Sequence, residues 1–148
     1  MIKVTKEYIK EVFDECNRLY FDNQLKNCKF SVLRNSPNNR SLGRCDTIKK
    51  NGKILGRIWI AKNVFWTEET FKETVIHEMI HLYNEQVEGS HLSFFCHTWH
   101  FRRKLKELNK KYSLHMTICS PDIYCTYEKI PSTFFGKLMR RIRFEFGI

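Results

Sequence analysis

The chain has 148 residues, 42% of them hydrophobic and 14% aromatic. That is enough for one buried core and too apolar for a disordered or collagen-like chain. Twenty-six Lys and Arg against sixteen Asp and Glu leave a formal charge of +10, which favours a polyanionic partner, nucleic acid before an anionic membrane.

No apolar run is long enough to span a membrane. The N-terminal stretch Met1-Ile2-Lys3-Val4-Thr5-Lys6-Glu7 lacks the apolar segment of a signal peptide, so a cytoplasmic, reducing location is expected. The six cysteines include no Cys-x-x-Cys pair. They read as small core residues, not as a disulfide framework or a zinc ribbon.

In chain order, Thr5 to Phe21 reads as an amphipathic helix, with Ile9, Val12, Phe13, Cys16, Leu19 and Tyr20 at helical spacing. Three strands are expected at Lys29–Leu33, Ser41–Ile48 and Lys53–Ile60. Lys50-Asn51-Gly52 joins the last two as a tight hairpin, because Asn-Gly tolerates positive φ. An antiparallel meander is the simplest layout. Thr67 then caps a helix running to about Asn84, with Glu68 and Glu69 at the positive end of its dipole. A loop containing Gly89 and Ser90 leads to a third helix over His97–Lys111. Short strands are expected at Leu114–Ile118 and Tyr124–Lys129, followed by a basic, aromatic tail.

The residues that carry chemistry are His77-Glu78-Met79-Ile80-His81. Positions i and i+4 share one helix face, so both imidazoles can reach one ion. Glu78 is turned about 100° away from His77, free to act beside the ion instead of binding it. This is the zinc-peptidase arrangement. A catalytic zinc takes three protein ligands and keeps one open position. Val87 stands where a His-x-x-Gly-x-x-His continuation needs histidine, so the third ligand comes from His91, His97, His100, His115 or an acid such as Glu107. His97 is favoured, since it falls on the apolar stripe of Phe101, Leu105, Leu108 and Tyr112. His91 and His100 are the alternatives, His100 lying in line with Lys104 and Lys111 on a solvated side.

The helix Thr74-Val75-Ile76-His77-Glu78-Met79-Ile80-His81-Leu82, followed by His97-x-x-x-Phe101, resembles the SprT-like zinc metalloproteases, which include the Spartan DNA–protein crosslink proteases. The segments Asn17-x-x-Tyr20-Phe21-Asp22-Asn23-Gln24-Leu25 and Leu42-Gly43-Arg44-Cys45, and Ile58-x-Ile60, extend the likeness over about residues 5–112. It implies a zincin-like α+β fold, a small antiparallel or mixed sheet with helices on one face and the His-Glu-x-x-His helix at the centre. It also implies Zn2+ held by His77, His81 and His97, Glu78 as catalytic base, and a role in DNA repair. The chain departs from the family in having Cys96 and Thr98 beside His97, and in lacking a C-terminal Cys-x-x-Cys ribbon.

The whole chain is expected to be one domain, 1–148, with residues 113–148 as a basic extension. Its function reads as zinc-dependent cleavage of DNA-associated proteins. The alternatives are a zinc peptidase cleaving a regulatory protein without DNA, and a non-catalytic nucleic-acid-binding module whose zinc is closed off by a cysteine such as Cys96. Single-stranded DNA is the expected second partner beside the protein substrate. Its candidate contacts are Lys104, Lys110 and Lys111, with Lys106 beside them, and Lys137, Arg140, Arg141 and Arg143 in the tail. The tail also fits a helix packing Phe135, Leu138, Met139 and Ile142 on the domain, with its arginines solvated.

Overall fold

The computed structural model describes residues 2–35, 41–90 and 97–118. Helix α1 spans Lys6–Tyr20, and its N-cap Thr5 accepts a hydrogen bond from the Tyr8 amide at 3.1 Å. Strands β1 (Cys28–Leu33), β2 (Gly43–Lys50) and β3 (Lys53–Ala61) follow, then α2 (Glu68–Gln86) and α3 (Trp99–Tyr112). Thr67 caps α2 through a reciprocal pair with Thr70: each hydroxyl accepts from the other residue's amide at 3.1 Å. Two of the four free amides at that helix end are thereby satisfied.

The β2–β3 hairpin turns at Asn51 and Gly52, both with positive φ, as the Asn-Gly pair predicts. The meander does not form. The strand order is β1-β3-β2, with β1 parallel to β3 and β2 antiparallel to it. β3 is central because Gly56, Ile58, Ile60 and Ala61 are buried, whereas β2 carries exposed Arg44, Asp46, Lys49 and Lys50. Charges of that kind suit an edge. The expected strand at Leu114–Ile118 is also absent; that stretch is irregular. The expected strand at 124–129 and the tail lie outside the described residues.

Helices α1 and α2 pack on one face of the sheet. Phe13 of α1 meets Phe30 of β1 edge-on, with ring centres 5.0 Å apart, and Tyr8 meets Phe71 of α2 at 4.9 Å. α2 lies close over the strands because two inner positions carry no side chain. A Cβ at Gly56 would fall 2.5 Å from a Leu82 methyl, and one at Gly43 would fall 2.6 Å from the Glu78 carboxylate. Phe101, Leu105 and Leu108 of α3 close the core from the far side of α2. Cys16 is buried and Cys28 and Cys45 are half-buried, all as free thiols that burial pushes well above the ordinary thiol range. None of the described helices is long and apolar enough to cross a membrane.

Four side-chain amides fasten the connections. Asn17 donates to the Leu25 carbonyl at 2.9 Å and accepts from the Leu25 amide at 3.3 Å. Asn63 holds Asn35, Asn109 holds Met116 and Gln86 holds Lys26 in the same two-bond manner. Each grip satisfies backbone groups in turns where no strand can pair with them. Asn17 is only 7% exposed, so Asn17→Ala leaves two backbone groups short of a partner. It should cost about 2 kcal/mol in urea unfolding with the m-value unchanged.

Candidate metal centre

His77 and His81 leave α2 one turn apart, near its middle, where Val75, Ile76, Met79, Ile80 and Leu82 anchor the helix in the core. His97 comes from outside α3. The helix begins at Trp99 with Thr98 as its N-cap, so His97 precedes the cap and does not occupy a helical position. It still meets the pair: the Nε2 atoms of His97 and His77 lie 3.0 Å apart. One ligand atom from each of the three histidines falls within 4.8 Å of the others.

Phe101 organises this trio. Its ring is fully buried and sits 4.8 Å from His77, 4.6 Å from His81 and 4.7 Å from His97, centre to centre. An aromatic floor of this kind fixes ring planes without competing for the imidazole nitrogens. The three donors also have the right protonation. Burial, joined by the neighbouring rings, pushes His77 down to about 4 and His81 down to about 3. Burial and then Arg102 lower His97 as well. The nitrogens are therefore neutral at physiological pH and able to donate to a metal. Three converging neutral imidazoles fit a borderline cation such as zinc better than a hard one.

Glu78 points away from the trio toward the sheet. It is 6% exposed, and its carboxylate packs against Gly43 of β2. Burial, with Asp46 adding, pushes its carboxyl up to about 8. This places a protonatable carboxyl on the residue after His77, between α2 and the sheet.

The other candidate ligands go elsewhere. His100 is half-buried and has a partner its place among the lysines does not predict: its Nδ1 lies 2.7 Å from Glu88, which also pairs with Arg103. His115 and Glu107 are exposed, Glu107 bonding the Lys104 ammonium at 2.9 Å. His91 and Cys96 lie outside the described residues. Tyr83 packs on Phe21 beneath Lys104, and Tyr112 packs on Tyr20.

Of the candidate nucleic-acid contacts, Lys110 and Lys111 are exposed on α3. Lys104 is not: it is 7% exposed, with its ammonium 4.3 Å above the Tyr83 ring. Lys104 falls between Phe101 and Leu108 on the apolar stripe, and that spacing already signals its burial. Lys137, Arg140, Arg141 and Arg143 lie outside the described residues. Sequence reasoning missed Trp99, which is 66% exposed and has the Arg103 guanidinium 4.7 Å over its ring.

A helix bearing two imidazoles and a buried carboxyl, joined by a third imidazole from the segment ahead of α3, on a small mixed sheet with its helices to one side, defines a zincin-like, metallopeptidase-like domain. The model of the SprT-like family matches residues 9–120, and the chain belongs to that family. Comparison with curated proteins gives no match.

The Glu78 shift has a sign that can be checked. In the unfolded chain the carboxyl ionises near 4.5 and in the fold near 8, so the folded state holds the extra proton between those values. Stability from this group is whole below pH 4.5 and is lost as pH rises toward 8. Metal-free Glu78→Gln should therefore exceed the parent in stability by roughly 2–4 kcal/mol at pH 8, with the gap closing toward pH 4.5. Urea unfolding across that pH range measures it.

Proposed function

We propose that this chain is a zinc-dependent endopeptidase, with His77, His81 and His97 as ligands and Glu78 as general base, acting on proteins associated with nucleic acid. The observation that carries the first part is the meeting of three neutral imidazoles, with a buried carboxyl on the residue that follows the first of them. A purely structural zinc site has no use for that carboxyl. Zinc, when bound, supplies Lewis acidity: it polarises the scissile carbonyl and makes water a competent nucleophile at neutral pH.

The chain's own groups do the rest. Glu78 accepts the proton of the attacking water and returns it to the leaving nitrogen as the C–N bond breaks, ending in its starting state. Phe101 holds the imidazoles still, so the reacting geometry costs little to assemble.

The substrate class is supported by the charge of +10 and by one face of α3. Trp99, Arg103, Lys106 and Lys110 are exposed and spaced by four, three and four residues, forming a single stripe. The stripe is about 16 Å long and starts two residues after His97. An exposed indole can stack on a base while the cations meet successive phosphates.

Two measurements test this reading. Zinc-loaded Glu78→Gln should keep its metal and lose about 100- to 10,000-fold in peptide turnover. In the same series His97→Ala should weaken zinc binding about 100-fold more than His100→Ala does. Parent-like cleavage by Glu78→Gln, or the reverse order of the histidines, would overturn the assignment.

The second measurement is cleavage of a DNA-binding protein with and without single-stranded DNA. Cleavage should rise several-fold with DNA at low salt, and the Lys106→Glu/Lys110→Glu pair should abolish the rise while leaving cleavage of a short peptide intact. Cleavage indifferent to DNA would point to a regulatory-protein substrate.

A further inference from the structure

Gly43 stands at the start of the edge strand β2, paired with Ile60 of β3. On the inner face of the sheet it lies under Glu78, and a Cβ there would sit 2.6 Å from Oε1, 2.9 Å from Cγ and 3.0 Å from Cδ of that side chain. All three distances are at or inside the limit that real Cβ atoms respect, and they run along the end of the glutamate rather than touching one atom. Gly56, on the next strand, plays the same part for Leu82, four residues further along α2. Both glycines let the helix sit low on the sheet, yet only one of them faces a reactive group.

We propose that Gly43 is the positioning residue for the general base: the absence of a side chain at this strand position makes the niche that seats the Glu78 carboxylate between α2 and the sheet. The proposal rests on the reading of Glu78 as the base. Any side chain at 43 meets the carboxylate end of Glu78 and must swing it or raise the helix. Proton transfer needs its partners within about 3 Å, and a displacement of about 1 Å is enough to lose two orders of magnitude in rate. Glu78 is 6% exposed, so a displaced carboxylate leaves its seat within the packed interior and not by simply turning out into solvent.

The test compares zinc-loaded Gly43→Ala with Gly56→Ala, which burdens the same helix and sheet but touches only Leu82. Both should lower the melting midpoint, by about 5 °C. Gly43→Ala should keep its zinc and its KM for a peptide and lose about 100-fold in kcat, while Gly56→Ala keeps its kcat. Equal kcat losses in the two, or none in Gly43→Ala, would overturn the proposal.

A second arm reads stability alone, on metal-free and metal-loaded protein. In a Glu78→Ala background, the melting penalty of Gly43→Ala should vanish, because the group it collides with is gone. That arm stands even if the parent shows no peptidase activity, so failure of the enzymatic reading and failure of the niche are told apart. If Gly43→Ala does not fold and Gly43→Ala/Glu78→Ala does, the niche is upheld. If the double variant also fails to fold, or pays the full penalty, the added methyl is meeting something other than Glu78 and the proposal falls.

Discussion

A helix packed on nearly every side can carry polar groups only where the surroundings are built to receive them, since an unmatched polar group in a core costs several kcal/mol. α2 is such a helix. It runs between the sheet and α3, and alongside its apolar anchors it buries Thr74, Glu78 and Asn84 and half-buries His77 and His81. The structure around it answers that demand at Thr74, at the imidazoles and at Glu78, whereas the buried Asn84 Oδ1 finds no hydrogen-bond partner among the described residues. Thr74 returns its hydroxyl to the Thr70 carbonyl at 2.8 Å. Phe101 gives the imidazoles an apolar floor. Gly43 clears space for a carboxyl that burial drives toward its neutral form.

The demand also explains why the site forms where three elements meet. Two histidines one turn apart on a helix define a direction but not a pocket. The third arrives on the segment ahead of α3, and what brings it is the burial of Phe101 against both α2 histidines. The core and the imidazole cluster therefore share a residue, and packing of α3 and convergence of the imidazoles go together.

Much of this was legible in the sequence because the decisive signals were local. The His-Glu-x-x-His spacing placed two imidazoles on one face, Asn51-Gly52 marked the hairpin, and Thr67 marked the start of α2. His97 was picked from the stripe of Phe101, Leu105 and Leu108, and it does join the trio, although it stands ahead of the helix and not within it. Strand order was not legible from local patterns, because either edge of a hairpin can accept a third strand. The clue lay in comparing charges: β2 carries Arg44, Asp46, Lys49 and Lys50, and β3 within its buried stretch only Arg57. Lys104 and His100 were misplaced for a common reason. A charged or polar residue on a basic helix reads as solvated until a partner is known, and Glu107, Tyr83 and Glu88 are partners from other turns or other elements.

The four amide grips that tie Asn17 to Leu25, Asn63 to Asn35, Gln86 to Lys26 and Asn109 to Met116 share a chemical property beyond their geometry. Each needs both a donor and an acceptor on the same side chain, and only an intact amide has both. Being uncharged, they hold alike in dilute buffer and in brine. Amides are also among the thermally labile side chains. Hydrolysis of one to a carboxylate deletes the donor and sets a negative charge against a backbone carbonyl, turning a clasp into a repulsion. Prolonged heating is thus expected to loosen this protein at its turns.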